Sequence, residues 1–269
     1  MAGRLAILAC SGALPVALAK AHPEALIYTL RGVPSALADR GQEFPIEKIG
    51  TLFAAMKEAG VDRMVFAGAL SRPALSPADL DADMMRLAPR LMAALPKGDD
   101  ALLRFVIETF EEQGFTVLGA HELLPALVAE EGLTIGPAVT TAQQSDIARG
   151  VEILRTTASL DIGQGCAVAG GQCLGIETVQ GTDALLGYVG TTPEALKRGQ
   201  KGVYVKAAKD GQDLRIDMPA VGPDTVTAIA RAGLSGLALQ VGRVMILDRD
   251  ETLAAAEEAG IFLISQAFE

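Results

Sequence analysis

RLAILACSGALPVALAKA, Arg4 to Ala21, changes its period part way along. RLAILAC (4–10) is a near-continuous apolar run ending in Ser11-Gly12. ALPVALAKA (13–21) then carries its apolar residues at helical spacing, with Pro15 tolerated in the first turn. A buried strand, a glycine turn and a helix form the first step of a βα unit. The same alternation continues outward. ALIYTL (25–30), RMVFAGAL (63–70) and FTVLGA (115–120) read as further buried strands. TLFAAMKEAG (51–60) and segments at about 77–95 and 99–113 read as helices between them. Apolar strands alternating with helices predict an α/β fold with a parallel, Rossmann-like sheet.

The periodicity lapses around EEGLTIGPAV (130–139), which contains two glycines and a proline and reads as a linker. The expected division is an N-terminal Rossmann-like domain, 1–132, and a C-terminal catalytic domain of mixed α/β type, 137–269. The second half opens with a helix over 141–160. Short strands at CAVAGG, CLGIETV, GVYVKAA and LRIDM follow. A helix near 224–232, LALQVGRVMIL (237–247), a helix over 251–259 and a last strand, IFLIS, complete it.

Composition sets the outer bounds. The chain has 269 residues, half of them hydrophobic, and a formal net charge of −10. That charge opposes nonspecific nucleic-acid binding, which depends on Lys and Arg neutralising phosphates. A phosphorylated small ligand would need a local positive cluster or a divalent cation. No apolar run reaches the roughly 18–20 residues of a membrane span, and the N-terminal apolar stretch reads as a strand rather than a signal peptide. A cytoplasmic protein is expected. Three cysteines without a CxxC (Cys10, Cys166 and Cys173) argue against a disulfide framework or a zinc site, and read as small buried hydrophobes. His22 and His121 are the only histidines, so a histidine-rich metallophosphoesterase site has no material.

Six segments could carry chemistry. CSGALP (10–15) is an anion-friendly corner at a helix N-terminus, although it lacks GxGxxG. GALSRP (68–73) places Ser71 and Arg72 just past a strand, where open α/β sheets bind ligands. PKGDDALLRF (96–105) sets Lys97 before Asp99 and Asp100, one of which would cap a helix starting at Ala101. The remaining three are LDIGQG (160–165), IETVQGTDALL (176–186) and KAAKDGQDLRIDMPAVGPDT (206–225). In the last, a strand over 213–217 would put Asp213, Arg215 and Asp217 on one face, as a solvated edge or as a ligand site. Glu177, Asp183 and Asp217 are hard oxygen donors suited to Mg²⁺ or Mn²⁺.

CSGALP, FAGALSRP, KGDDALLR, GAHE, LDIGQG, ETVQGTDALL, VKAAKDGQDLRIDMPAVGPDT and AGLSGLALQVGR occur in this order along nearly the whole chain. Together they resemble the LpxI family of UDP-2,3-diacylglucosamine pyrophosphatases of lipid A biosynthesis. The resemblance implies a two-domain, dimeric, metal-dependent hydrolase. Its reaction gives UMP and 2,3-diacylglucosamine 1-phosphate (lipid X), with water attacking the sugar-side phosphorus. The aspartate of the family's R-x-D-x-P element falls on Asp217, which is then the critical carboxylate. One departure is CSG before ALP, where many relatives carry a run of glycines.

Under this reading Asp217, with Asp183 or Glu177, holds the ion, and Lys206, Lys209 and Arg215 balance the substrate's phosphates. Gln164, Thr182 and Thr225 add substrate contacts, and Gly12, Ser71, Arg72, Lys97 and Asp99 approach the same ligand from the N-terminal domain. The Leu- and Met-rich stretch 80–95 either lines an acyl groove or is a plain core helix. The lipid-linked substrate implies peripheral contact with the inner membrane. Two other readings stay open: a non-catalytic sensor of nucleotide sugars, and a Rossmann-type oxidoreductase.

Overall fold

The structure is a computed structural model that describes residues 3–70 and 75–268. It divides into two compact units, and the division is not a single cut. The first unit takes the chain up to Pro125 together with Arg215–Asp217, and the second takes Ala126–Leu214 and Met218 onward.

In the first unit, β1 (Arg4–Ala9), β2 (Leu26–Leu30), β3 (Gln42–Phe44), β4 (Val61–Ala67) and β5 (Thr116–Leu118) form one sheet. Its order is β3-β2-β1-β4-β5, and every pairing is parallel. The helices are α1 (Leu14–Ala21), α2 (Ile49–Glu58), α3 (Ala82–Ala94), α4 (Asp99–Glu111) and the single turn α5 (Ala120–Leu123). β1, β2 and β4 are largely buried along both faces, the reason parallel strands read as near-continuous apolar runs, whereas β3 at the sheet edge is not. Phe53, Phe66 and Phe110 anchor the core, with Phe110 edge-on to both other rings at about 5 Å. Asp81 caps α3 by accepting from Met84 N at 2.7 Å, and it also accepts from Gly50 N at 2.8 Å. The outer face of α3 leaves Met85 and Met92 exposed.

The second unit holds a six-stranded sheet and a two-stranded one. The strands are β6 (Thr134–Ile135), β7 (Gly165–Ala169), β8 (Gln172–Ile176), β9 (Val203–Lys206), β10 (Ala220–Val221), β11 (Gly236–Gln240), β12 (Met245–Ile246) and β13 (Phe262–Gln266). The helices are α6 (Thr141–Ala158), α7 (Gly181–Gly190), α8 (Pro223–Arg231) and α9 (Arg249–Glu258). The large sheet runs β6-β13-β11-β9-β7-β8, and β10 pairs with β12. Within the large sheet only β9–β11 and β11–β13 pair in parallel. β6 joins β13 antiparallel, β7 joins β9 antiparallel, and β7–β8 is a hairpin. The hairpin turn is held from below: Asp146 of α6, 2 % exposed, accepts from Gly170 N at 3.0 Å and Gly171 N at 2.7 Å.

The fold is α/β with a Rossmann-like parallel sheet and a second, mixed unit, as the sequence predicts. Two local expectations are corrected. Leu214–Ile216 form a turn, not a strand. A two-residue period over five residues defines faces, but strand formation also needs a neighbour to pair with, and this segment has no ladder partner. Helix α4 starts at Asp99 rather than Ala101. Gly98, with φ +101°, occupies the N-cap position and leaves both aspartates in the first turn. Among the described residues no helix is long and apolar enough to cross a membrane.

Candidate functional site

The strand directions of the second unit gather polar residues at one sheet edge. β8, β9, β11 and β13 all run the same way, so Ile176, Lys206, Gln240 and Gln266 end at that edge, with Gly165 at the start of β7 beside them. Carboxyl ends of parallel strands are where open α/β sheets place ligands.

At the centre of this edge, Glu177 Oε2 accepts from Tyr204 Oη at 2.7 Å, Lys206 Nζ at 2.7 Å and Thr182 Oγ1 at 3.1 Å. Lys206 Nζ also donates to Thr182 Oγ1 at 2.9 Å, so two of its ammonium hydrogens are used within the cluster. The Lys206 and Glu177 side chains are 4 % and 13 % exposed. The sequence builds this locally in three ways. Tyr204 and Lys206 are two apart on β9 and share a face. Glu177 follows β8, and its N–H donates to the Gly165 carbonyl at 2.7 Å. Thr182 sits in the first turn of α7. A Cβ at residue 165 would fall on the Tyr204 hydroxyl and the Glu177 carboxylate, so glycine is required for the cluster to close.

Burial alone pushes the Glu177 carboxyl up. The Lys206 charge and the bonds from Lys206, Tyr204 and Thr182 outweigh it and hold the group below its ordinary value. Burial, and then the Glu177 charge, push the Tyr204 phenol well above its ordinary value. The cluster is therefore an ammonium–carboxylate pair with a neutral phenol beside it.

The loop after β9 forms a second cluster. Lys209 pairs with Asp161, Ala207 N donates to the Gln164 carbonyl at 2.9 Å, and Ala208 N donates to Gln240 Oε1 at 3.1 Å. The Lys209 carbonyl accepts from Arg243 Nη2 at 3.1 Å. Gly163, Ala207, Lys209, Gln240 and Phe268 line a cavity of about 100 Å³ here. A more open cleft of about 340 Å³ lies along α6, lined among others by Gln144, Arg155, Gln266 and Phe268.

The other predicted residues are distributed as follows. Asp183 is exposed in the first turn of α7. Thr225 Oγ1 accepts from Gly222 N at 3.3 Å and so caps α8. Asp217 lies just after the 214–216 turn and belongs by packing with the first unit, as does Arg215, which pairs with Glu111 at 2.7 Å. Lys97 ends the 3₁₀ turn before Gly98, and Asp99 opens α4. Ser71 and Arg72 lie outside the described residues.

Gly12 sits at the β1–β4 crevice, the point where the strand order of the first sheet reverses. The two strand ends are stitched together there. Ser11 N donates to Ala69 O at 3.3 Å, Ala69 N to Ser11 O at 3.0 Å, and Ser11 Oγ to Ala69 O at 2.8 Å. Gly68 makes the approach possible: its φ is +91°, and a Cβ would collide with the Ser11 carbonyl. Pro15 adds no N–H to the first turn of α1. Ser11 N and Pro15 therefore offer no free donor at this corner.

Glu177 already faces an ammonium and two hydroxyls. Among the described residues no group of three or more His, Cys, Asp or Glu side chains stands ready for an ion. Sequence reading missed Tyr204, Asp161 and Gln240. The signal for Tyr204 was a phenol between two valines in a short strand, since a buried hydroxyl needs a partner. Gln240, at the end of β11, carried no comparable signal.

This arrangement defines an α/β protein with a Rossmann-like unit and a second unit whose polar centre lies at a sheet edge. The chain belongs to the LpxI family: residues 4–127 match the LpxI N-terminal domain and residues 130–264 the LpxI C-terminal domain. It is 38% identical over 271 residues to the UDP-2,3-diacylglucosamine pyrophosphatase LpxI of Caulobacter vibrioides, covering 97% of this chain and 96% of that protein.

Proposed function

We propose that this chain is an enzyme that hydrolyses the pyrophosphate of UDP-2,3-diacylglucosamine to UMP and 2,3-diacylglucosamine 1-phosphate. The observation that carries this reading is the 38% identity, spread over both units, to a relative that bears that name. The chemistry at the sheet edge supports it. Water attacks a phosphorus, the bridging P–O bond breaks, and charge develops on the phosphate oxygens, so catalysis depends on positioning and charge stabilisation. Lys206 is held in place by Glu177, Thr182 and, through Glu177, Tyr204. The ammonium hydrogen that those bonds do not use is the one we assign to a phosphate oxygen. Lys209, fixed at its backbone by Gln212 and Arg243, is a second cation for the same charge. Asp217 is the carboxylate we assign as critical.

A divalent ion, Mg²⁺ or Mn²⁺, belongs to this proposal. Mg²⁺ is commonly held by one or two carboxylates plus substrate phosphates rather than by an all-protein cage. Asp217 and Asp183 are its candidate ligands, whereas Glu177 is assigned to Lys206. When bound, the ion would neutralise phosphate charge and make water more acidic. The same reading takes the enzyme to act as a homodimer in the cytoplasm, in peripheral contact with the inner membrane that holds its lipid substrate.

The test is incubation of the purified protein with UDP-2,3-diacylglucosamine, with Mg²⁺ or with EDTA, scoring UMP and lipid X. Expected is metal-dependent release of both, reduced at least about 100-fold in Asp217→Asn. In ¹⁸O-water the label should enter lipid X, whereas label in UMP alone would refute attack at the sugar-side phosphorus. Tight binding of the nucleotide lipid without turnover would replace the enzyme reading with a sensor.

A further inference from the structure

Of the three cysteines, one departs from the expectation of small buried hydrophobes. Cys166 on β7 is completely buried, and Cys173 on β8 is exposed. Their sulfurs are 3.9 Å apart. The hairpin register explains the approach. Val168 pairs with Cys173 and Cys166 with Ile176, and a bulge between Ala167 and Val168 shifts the ladder by one residue. Cys166 and Val168 share a face, so Cys173 is a diagonal neighbour of Cys166 on that face. A disulfide needs the sulfurs at about 2.05 Å, so the two must draw in from their 3.9 Å separation. Cys10 is buried in the other unit, where burial alone pushes its thiol up to about 11.

We propose that Cys173 is a hydroperoxide-reactive thiol and Cys166 its resolving partner, the two closing to a cross-strand disulfide. The electronics agree with the geometry. The hydrogen bond from Cys166, then that from Gly175 N–H and the charge of Arg149, bring Cys173 down to about 6 against burial. The Cys166 thiol is pushed up, first by its bond to Cys173 and then by burial, so Cys166 keeps the proton. The exposed sulfur is thus the one favoured as thiolate and the buried one behind it keeps its proton more readily, the pairing typical of peroxide-sensing cysteines.

The steps balance. The Cys173 thiolate attacks one oxygen of a hydroperoxide, the O–O bond breaks, and the departing oxygen leaves as water or alcohol after taking a proton from solvent. The resulting Cys173 sulfenic acid is attacked by the Cys166 sulfur. The S–S bond forms, the S–O bond breaks, and the hydroxyl leaves as water with the Cys166 proton. Two thiols lose two electrons in total, and the peroxide gains them.

The test uses the full chain and hydrogen peroxide. Intact mass should fall by two hydrogens, peptide mapping should join Cys166 to Cys173, and dithiothreitol should reverse both. Before oxidation, iodoacetamide at pH 7 should label Cys173 more than about 100-fold faster than Cys10, as their thiolate fractions require. Cys173→Ser should abolish the two-hydrogen loss. In Cys166→Ala a sulfenic acid should persist on Cys173 and be captured by dimedone. Wild-type protein in which Cys173 gains oxygens without linking to Cys166, or resists peroxide altogether, would overturn the proposal without reference to any variant.

Discussion

Replacing Lys206 with methionine tests the sheet-edge cluster most directly. The side chain is 4 % exposed and its carboxylate partner 13 %. Removing one member of a buried ion pair costs about 3–5 kcal/mol, because the other charge is left uncompensated. Tyr204 and Thr182 still donate to Glu177 in Lys206→Met, so the expected loss is at the lower end, about 3 kcal/mol. Glu177→Leu leaves the ammonium with only the Thr182 oxygen, so about 4 kcal/mol is expected. In the double variant neither charge is left behind, so the combined loss should fall short of the sum by at least about 3 kcal/mol. Urea denaturation of the four proteins measures this coupling. The pH dependence supplies a second reading of the same group. Glu177 lies below its ordinary value in the folded state. Its contribution is therefore fully present above the unfolded value, about 4.3, and is lost as pH falls through the lower folded value. Lys206→Met removes the largest opposing influence on that carboxyl, so stability should fall less steeply on the acid side than in the wild type. Single losses below about 1 kcal/mol, the range of exposed pairs, or strict additivity in the double variant, would refute a buried, coupled pair.

Two further outcomes follow from local packing. Gly165→Ala should displace Tyr204 and Glu177 from each other and lower both stability and the turnover proposed above, while Gly171→Ala, with no atoms in the way, should act only through its left-handed backbone; thermal melts and turnover measured side by side separate the two. Asp146→Ala should leave two hairpin N–H groups without their acceptor, cost about 2–3 kcal/mol and speed amide exchange at Gly170 and Gly171, with unchanged exchange there refuting the role of the carboxylate.

The parts of the fold that sequence displays are those fixed by burial on two faces. β1, β2, β4 and β13 are mostly apolar, and their runs could be read directly. β3 is Gln-Glu-Phe at a sheet edge and β6 is two residues among glycines, so neither has a run to read. The site was legible as residues but not as partnerships. Glu177 and Lys206 are 29 positions apart and meet only because β8, β7 and β9 pair in one register. A carboxylate in a list of hard donors looks ready for an ion, and only the register shows that an ammonium faces it. Cys173 was hidden for a related reason: β8 is an edge strand, and composition does not distinguish edge from centre.

The first unit's ownership of Arg215–Asp217 bears on how the protein is made. Ile216 packs on that unit's core, and Arg215 bonds to Glu111 across 104 positions of sequence. A ribosome delivers the five-stranded sheet long before it delivers this segment, and nearly ninety residues of the second unit, 126–214, are synthesised in between. The early sheet must therefore wait, with the place of Ile216 still open, until the chain has been made past Asp217. Asp217 thus arrives on the strand of polypeptide that completes the older half, so a nascent chain stopped short of it would lack the finished core.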